Sequence, residues 1–357
     1  MRTGIVYDDV YLLHDTGSSH PESPRRLKDA LEALRESGLL SSGSVEIVKP
    51  REASIEEIEL AHSRSYIDLI KRISERGGGL LDSDTVVSRD SWKAALFAAG
   101  GLLEACRLIV DGRFSNAFAL VRPPGHHVGF SGAALTAPSA GFCIFNNVAI
   151  AALKLLKEGF SRIAIVDIDC HHGNGTQEIF YNTSKVLFIS THQDPRTLYP
   201  GTGYVDEVGE GDGEGYNINI PLPPGTGDDV YMKIFDTVIA PILRQYGPEF
   251  ILVSTGFDAH SGDPITSMNL SAHGYKYAFR KIINIASEAC SGRVAAVLEG
   301  GYGYGLKISI VAVIAEMAGL MYEVGEGLTS SSRRVLERVD NLVDDIRRVL
   351  GKYWRIA

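Results

Sequence analysis

The residues best suited to chemistry cluster in Arg162-Ile-Ala-Ile-Val-Asp-Ile-Asp-Cys-His-His-Gly-Asn174. An apolar run leads into Asp167, Asp169 and His171, each two residues from the next. On a β-strand that period places all three on one face. Three polar groups aligned at the end of a buried strand are costly unless something compensates them. A metal cation does so directly, and carboxylates with an imidazole suit zinc. Cys170 falls on the opposite face and reads as core.

Three other segments follow apolar runs in the same way. Ala117–Val121 leads into Arg122-Pro-Pro-Gly-His-His127, Phe250–Ser254 into Thr255-Gly-Phe-Asp258, and Val294–Leu298 into Glu299-Gly-Gly-Tyr302. Each also has a plain structural reading: a satisfied histidine pair at His126 and His127, a helix cap at Asp258, a packing aromatic at Tyr302. Taken together they supply a further metal ligand, a general-base pair and a polarising hydroxyl. Those are the parts required for metal-assisted hydrolysis of an amide.

The elements that must position these residues alternate along the chain. Strands are predicted at Thr3–Tyr7, Val45–Val48, Ala117–Val121, Ile163–Ile168, Val186–Ser190, Asn217–Ile220, Phe250–Ser254 and Val294–Leu298. Helical patterns cover Pro24–Glu36, Ile55–Arg76, Ser91–Val110, Asn147–Glu158, Asp228–Gln245, Ala272–Ala289 and Lys307–Tyr322, with a charged packing helix within Ser330–Tyr353. Ser54 and Glu57 form a capping-box signature. The alternation predicts a three-layer α/β/α fold, its central, mostly parallel sheet of about eight strands covered on both faces. No linker or repeat divides residues 1–357, so a single domain is expected. The glycine-rich loops lack the strand–GxGxxG–helix context of a dinucleotide site.

Composition narrows the function. The 357 residues carry 35 Lys+Arg against 44 Asp+Glu, a formal charge of −9, which removes the general electrostatic case for nucleic acid or an anionic membrane as partner. Four cysteines without paired spacing argue for a reducing compartment. The N-terminus meets acidic residues by Asp8 and has no apolar signal region, and Ile308–Tyr322 is too short to span a bilayer. A cytoplasmic protein is expected, with a homo-oligomer left open.

Ordered motifs along nearly the whole chain resemble the zinc-dependent histone deacetylase family, within the arginase/deacetylase fold and nearest its class II and prokaryotic amidohydrolase branch. They are His20-Pro-Glu-Ser-Pro-Arg-Arg26, Arg122–His127, Gly141-Phe142-Cys143, Asp167–Gln177, Tyr199-Pro-Gly-Thr-Gly203, Gly256–Pro264 and Leu298–Tyr302. The resemblance implies one zinc ion on Asp169, His171 and Asp258, with His127 as general base and acid and His126 as its charge-steadying neighbour. It makes Asp167 the partner of His126, Asn174 the partner of the second histidine, and Tyr302 the donor to the substrate carbonyl. It places Gly141, Phe142 and Tyr199 on a tunnel for the acyl-lysine stem, and Arg26 at a cavity behind the metal. It also implies potassium, held at Asp167, Asp169, His171, Ser190 and Thr191.

The chain departs from the family pattern in three places. Thirteen residues, Val128–Ala140, separate His127 from Gly141, a longer stretch than usual that is expected to reshape one side of the pocket mouth. Ile265 stands where polyamine-specific members carry an acidic gatekeeper. Asp82 and Asp84 lie in the region of the rim residue that anchors substrate. The expected activity is hydrolysis of acetyl-lysine or a related acylated amine. Acetylpolyamine hydrolysis is the alternative, an arginase-like reaction is disfavoured by Gly256 in place of a further aspartate, and nothing supports a non-catalytic reader.

Overall fold

The computed structural model describes residues 1–356. Eight strands form one sheet, labelled here β1 (Thr3–Val6), β2 (Val45–Val48), β3 (Asn116–Ala119), β4 (Ile163–Asp167), β5 (Val186–Gln193), β6 (Asn217–Leu222), β7 (Phe250–Thr255) and β8 (Val294–Leu298). Their order is β6-β5-β4-β7-β8-β3-β1-β2, and every pairing is parallel. All eight predicted strands are present. β1, β3, β4, β5, β7 and β8 are buried along their whole length, as parallel strands covered on both faces must be.

Ser91–Val110 and Asn147–Lys157 pack together over the sheet, and Ala272–Ala289 with Gly305–Ala318 form a second packed pair on it. Arg333–Leu350 buries Val335, Val339, Val343, Ile346 and Leu350, one face at helical spacing, and joins the same hydrophobic core. Among the described residues no helix is long and apolar enough to cross a membrane. The four cysteines are buried and free.

Two expectations are corrected. The strand that carries the first acidic residue stops at Asp167, so Asp167, Asp169 and His171 are not aligned by a pleat. The Asp167 Oδ1 atom accepts the Asp169 N–H at 3.1 Å, and Asp169 Oδ1 accepts the His171 N–H at 2.8 Å. These successive side-chain turns take amides that a strand would offer its neighbours. The helix expected over Ile55–Arg76 is two helices, Ile55–Ile58 and Arg64–Glu75. The capping box opens the first, and Ser63 caps the second. Between them the backbone is drawn aside, because the Ser63 N–H donates to the Phe130 carbonyl and His62 enters the core.

His62 bridges two segments next to the site. Its Nδ1 donates to the Gly129 carbonyl at 2.9 Å, which leaves Nε2 to accept the Asn146 N–H at 2.8 Å. Only the neutral ring does both. Burial lowers its pKa to about 4, against the upward pull of backbone carbonyls. The unfolded chain therefore takes up this proton first as pH falls. The stability is present above the ordinary histidine value and is lost toward pH 4, at up to ~1.4 kcal/mol per pH unit. Denaturant unfolding should show His62→Gln weaker than the parent at pH 7.5 but with a shallower acid loss between pH 6.5 and 4. An unchanged acid slope would assign that loss to other groups.

Candidate metal centre and active site

The carboxyl ends of β4, β7 and β8 lie side by side, and the loops leaving them converge. Asp169 and His171 come from the first loop, Asp258 from the second, Tyr302 from the third, and His126 and His127 from the loop after β3. This is where open parallel sheets form their clefts.

At the centre the His171 Nδ1 atom lies 2.8 Å from Asp258 Oδ2 and 3.1 Å from Asp169 Oδ1. One candidate ligand atom from each residue lies within 4.8 Å of the others, and all three side chains are buried. Backbone N–H groups steady the carboxylates: Gly300 donates to Asp169 Oδ2 at 2.7 Å and Cys170 to Asp258 Oδ1 at 2.8 Å. A Cβ at Gly256 would meet Asp169 Oδ2 at 2.0 Å, and one at Gly300 would meet Asp258 Oδ2 at 2.4 Å. Glycine is required at both places for the carboxylates to come together.

The electrostatics express the same demand for positive charge. Burial pushes the Asp258 carboxyl up to about 7, and Asp169 adds to the effect. Burial also opposes charge on His171, yet the two carboxylates raise it to about 10. Burial opposes charge on Asp169 too, but His126 and His171 hold its carboxyl below the usual range. Two buried carboxylates and an imidazole form a donor set that fits a divalent metal, and three protein ligands leave a position open for water or substrate. Cys170 is buried outside this set, as expected.

The histidine pair is differentiated by its partners. His126 Nδ1 is 2.9 Å from Asp167 Oδ2; burial works against its charge, but Asp167 and Asp169 raise its pKa to about 10. His127 Nδ1 is 2.7 Å from Asn174 Oδ1, and burial, with the neighbouring His126 and His171, lowers its pKa well below the ordinary histidine value. His127 is thus neutral at pH 7, and its Nδ1 donates to Asn174. The other nitrogen is left as a base.

Aromatic rings surround this centre. Tyr199 stands edge-on to His127 with centroids 5.0 Å apart, and Phe142 edge-on to Tyr302 at 5.8 Å. Gly141 and Phe142 have φ of +55° and +69°, and a Cβ on Gly141 would meet His127 Cδ2 at 2.6 Å. Burial keeps the Tyr302 hydroxyl well above the ordinary phenol value, while Arg26 pulls the other way. The Arg26 guanidinium lies 4.7 Å from the centre of the Tyr302 ring, and both line a cavity of about 410 Å³ behind that loop. Ile265 is half-buried, with its N–H on Asp263 Oδ1. Asp167, the last residue of β4, is the register partner of Ser190 within β5, so two of the residues expected for potassium lie side by side on neighbouring strands. The Ser190 hydroxyl is turned toward His192 Nδ1, and the Thr191 hydroxyl toward the Asp167 carbonyl at 3.4 Å.

Several supporting residues escaped the sequence reading. Glu299 Oε2 accepts the Gly125 and His126 N–H groups, which fixes the histidine loop. Asp263 Oδ2 accepts the Tyr302 and Gly303 N–H groups. Glu22 and Arg122 form a fully buried pair that ties the N-terminal loop to the histidine loop. Glu22 and Arg122 sit inside the quoted motifs, but nothing in sequence spacing pairs residues a hundred positions apart. A second metal-capable group, His126, Cys143 and Glu299, also exists. Its histidine and carboxylate already serve Asp167 and the loop amides, and burial raises the Cys143 thiol far above its usual value.

The Asp82 and Asp84 carboxylates are engaged at the rim. Asp82 Oδ2 accepts the Ala140 N–H at 2.7 Å and Asp84 Oδ2 the Ser139 hydroxyl at 2.6 Å, while Ser139 O accepts the Tyr199 hydroxyl. The end of Val128–Ala140 therefore meets the pocket wall.

A family profile described as "Histone deacetylase domain" matches residues 20–317. A "Probable deacetylase" of Archaeoglobus fulgidus is 44% identical over 99% of both chains. Histone deacetylase HDA1 of Candida albicans is 37% identical over 99% of this chain and 45% of its own length. The crystal structure of the HDA15 HD domain superposes with a TM-score of 0.87 at 35% identity, covering 99% of this chain and 95% of that one.

The three-residue set carries a direct test. Asp258→Ala should take bound divalent metal from one per chain to none by elemental analysis, with the metal-free variant still folded by circular dichroism. Full metal occupancy in the variant would remove Asp258 from the ligand set.

Proposed function

The chain belongs to the histone deacetylase family and is a hydrolase of amide bonds, and from that premise we propose a zinc-dependent deacetylase that releases a free amine and acetate from acetyl-lysine or a similar acylated amine. The observation that carries the reading is the meeting of Asp169, His171 and Asp258 with a neutral His127 and a protonated Tyr302 at one cleft. Asp169, His171 and Asp258 would hold the zinc. When bound, it would polarise the amide carbonyl and lower the pKa of the attacking water.

The chain's own residues account for the remaining steps. Phe142 and Tyr199 offer apolar edges and faces to an aliphatic stem, which needs no polar partner there. His127 takes the water proton and later delivers it to the leaving nitrogen. His126, charged and paired with Asp167, offsets negative charge as it builds on the carbonyl oxygen. The Tyr302 hydroxyl donates to that oxygen, and Asp263 and Arg26 hold the tyrosine loop in place. The oxygens of Asp167, Asp169, His171, Ser190 and Thr191 would suit potassium, since hard cations prefer oxygen ligands.

Acetylpolyamines are the second substrate class, favoured by Asp82 and Asp84 at the rim. A polyamine brings another ammonium, which needs a counter-charge when it leaves water. Ile265 offers none, and both rim carboxylates already accept hydrogen bonds from the loop end. The lysine side chain is therefore preferred.

Two substitutions test these assignments. Tyr302→Phe retains the ring and should lower kcat for an acetyl-lysine peptide by about 10²–10³, with KM changing less. A kcat within twofold of the parent would remove the tyrosine from the chemistry. Ile265→Glu should raise kcat/KM for acetylspermidine relative to that peptide. A parent enzyme already favouring acetylspermidine tenfold would reverse the substrate assignment.

A further inference from the structure

The base needs its free electron pair on His127 Nε2, so the proton must stay on Nδ1. Asn174 enforces this only while its oxygen faces the ring. A side-chain amide turned end for end would donate to Nδ1 instead and leave the proton on Nε2. The structure removes that ambiguity from the far side. The Asn174 amide nitrogen donates to the Ala134 carbonyl at 2.9 Å, and a carbonyl can only accept. Turning the amide over would bring two acceptor oxygens together in a buried place.

Ala134 lies in the long segment Val128–Ala140, and among the contacts that hold this segment one side chain ties it to the helix that carries Asn174. Glu178 Oε1 accepts the Phe130 N–H at 3.0 Å and Oε2 the Leu135 N–H at 2.9 Å, one on each side of Ala134. The fit is close: a Cβ on Gly129 would meet Glu178 Oε1 at 2.0 Å. Leu135 has φ of +52°, which leucine rarely adopts, so the loop is held where its own residues would not settle. Asn174 and Glu178 are one turn apart on the helix Asn174–Phe180. The staple is thereby in register with the amide it serves.

We propose that Glu178 is a positioning residue that, through the Ala134 carbonyl, fixes the Asn174 amide and so keeps the catalytic proton acceptor of His127 on Nε2. The effect on turnover rests on the deacetylase reading; the tautomer does not.

The test uses zinc-loaded protein labelled with ¹⁵N at histidine. The parent should show His127 as the Nδ1–H form alone. Glu178→Ala should populate the Nε2–H form, with zinc content unchanged. Its kcat for an acetyl-lysine peptide should fall about fivefold or more, in step with the lost Nδ1–H fraction, and KM should stay within about twofold. Glu178→Gln keeps one acceptor oxygen and should fall between. The Asn174→Ala side chain has no amide to turn over and leaves no second acceptor on the Ala134 carbonyl, so adding Glu178→Ala to it should change kcat by less than about 1.5-fold. A pure Nδ1–H signal in Glu178→Ala, or an equal fall in both backgrounds, would overturn the proposal. A parent that hydrolyses no acylated amine would defeat the functional reading, while the histidine spectrum would still decide this one.

Discussion

Two carboxylates buried beside one imidazole nitrogen are the constraint around which this molecule is arranged. Asp169 and Asp258 lie 3.1 and 2.8 Å from His171 Nδ1, and among the described residues no lysine or arginine pairs with either. Such a set is unfavourable unless positive charge and N–H donors surround it. The loops supply the donors, through Gly300 and Cys170, and glycines at 256 and 300 clear the space. The remaining demand is for a cation. That demand is what the proposed metal would meet, and it argues for a metal site over a structural ion-pair network.

Around this centre the structure invests in holding loops rather than in adding reactive groups. Glu299 clamps the histidine loop, Asp263 the tyrosine loop, and the Glu22–Arg122 pair the entry of the N-terminal segment. Each accepts or donates to backbone groups that a loop would otherwise leave unsatisfied after its strand ends. The reacting groups can then be few, because their supports fix direction and protonation. His126 and His127 illustrate this: burial opposes charge on both, but Asp167 and Asp169 restore it on the first, whereas His126 and His171 push the second further down.

The strands were legible because burial on both faces leaves a plain signature, a short β-branched run. All eight were recoverable, as were the whole of Ser91–Val110 and Ala272–Ala289. Residue types that meet at the site were legible too, since Asp258, Tyr302 and the histidine pair each follow such a run. Local geometry was not. The strand pattern through Asp169 and His171 was overridden by aspartates bonding to their own downstream amides. The helical pattern over Ile55–Arg76 was overridden by a histidine with two distant partners. The supports were least visible, because Glu178, Asp263 and Glu299 act on backbone amides that carry no sequence mark.

The central claim is that one divalent metal sits among Asp169, His171 and Asp258. Anomalous diffraction at the zinc edge, from crystals grown with zinc, tests it most directly. A single strong peak per chain is expected, with those three residues at ~2.0–2.2 Å. A peak held instead by His126, Cys143 and Glu299, or no peak in the cleft, would contradict it.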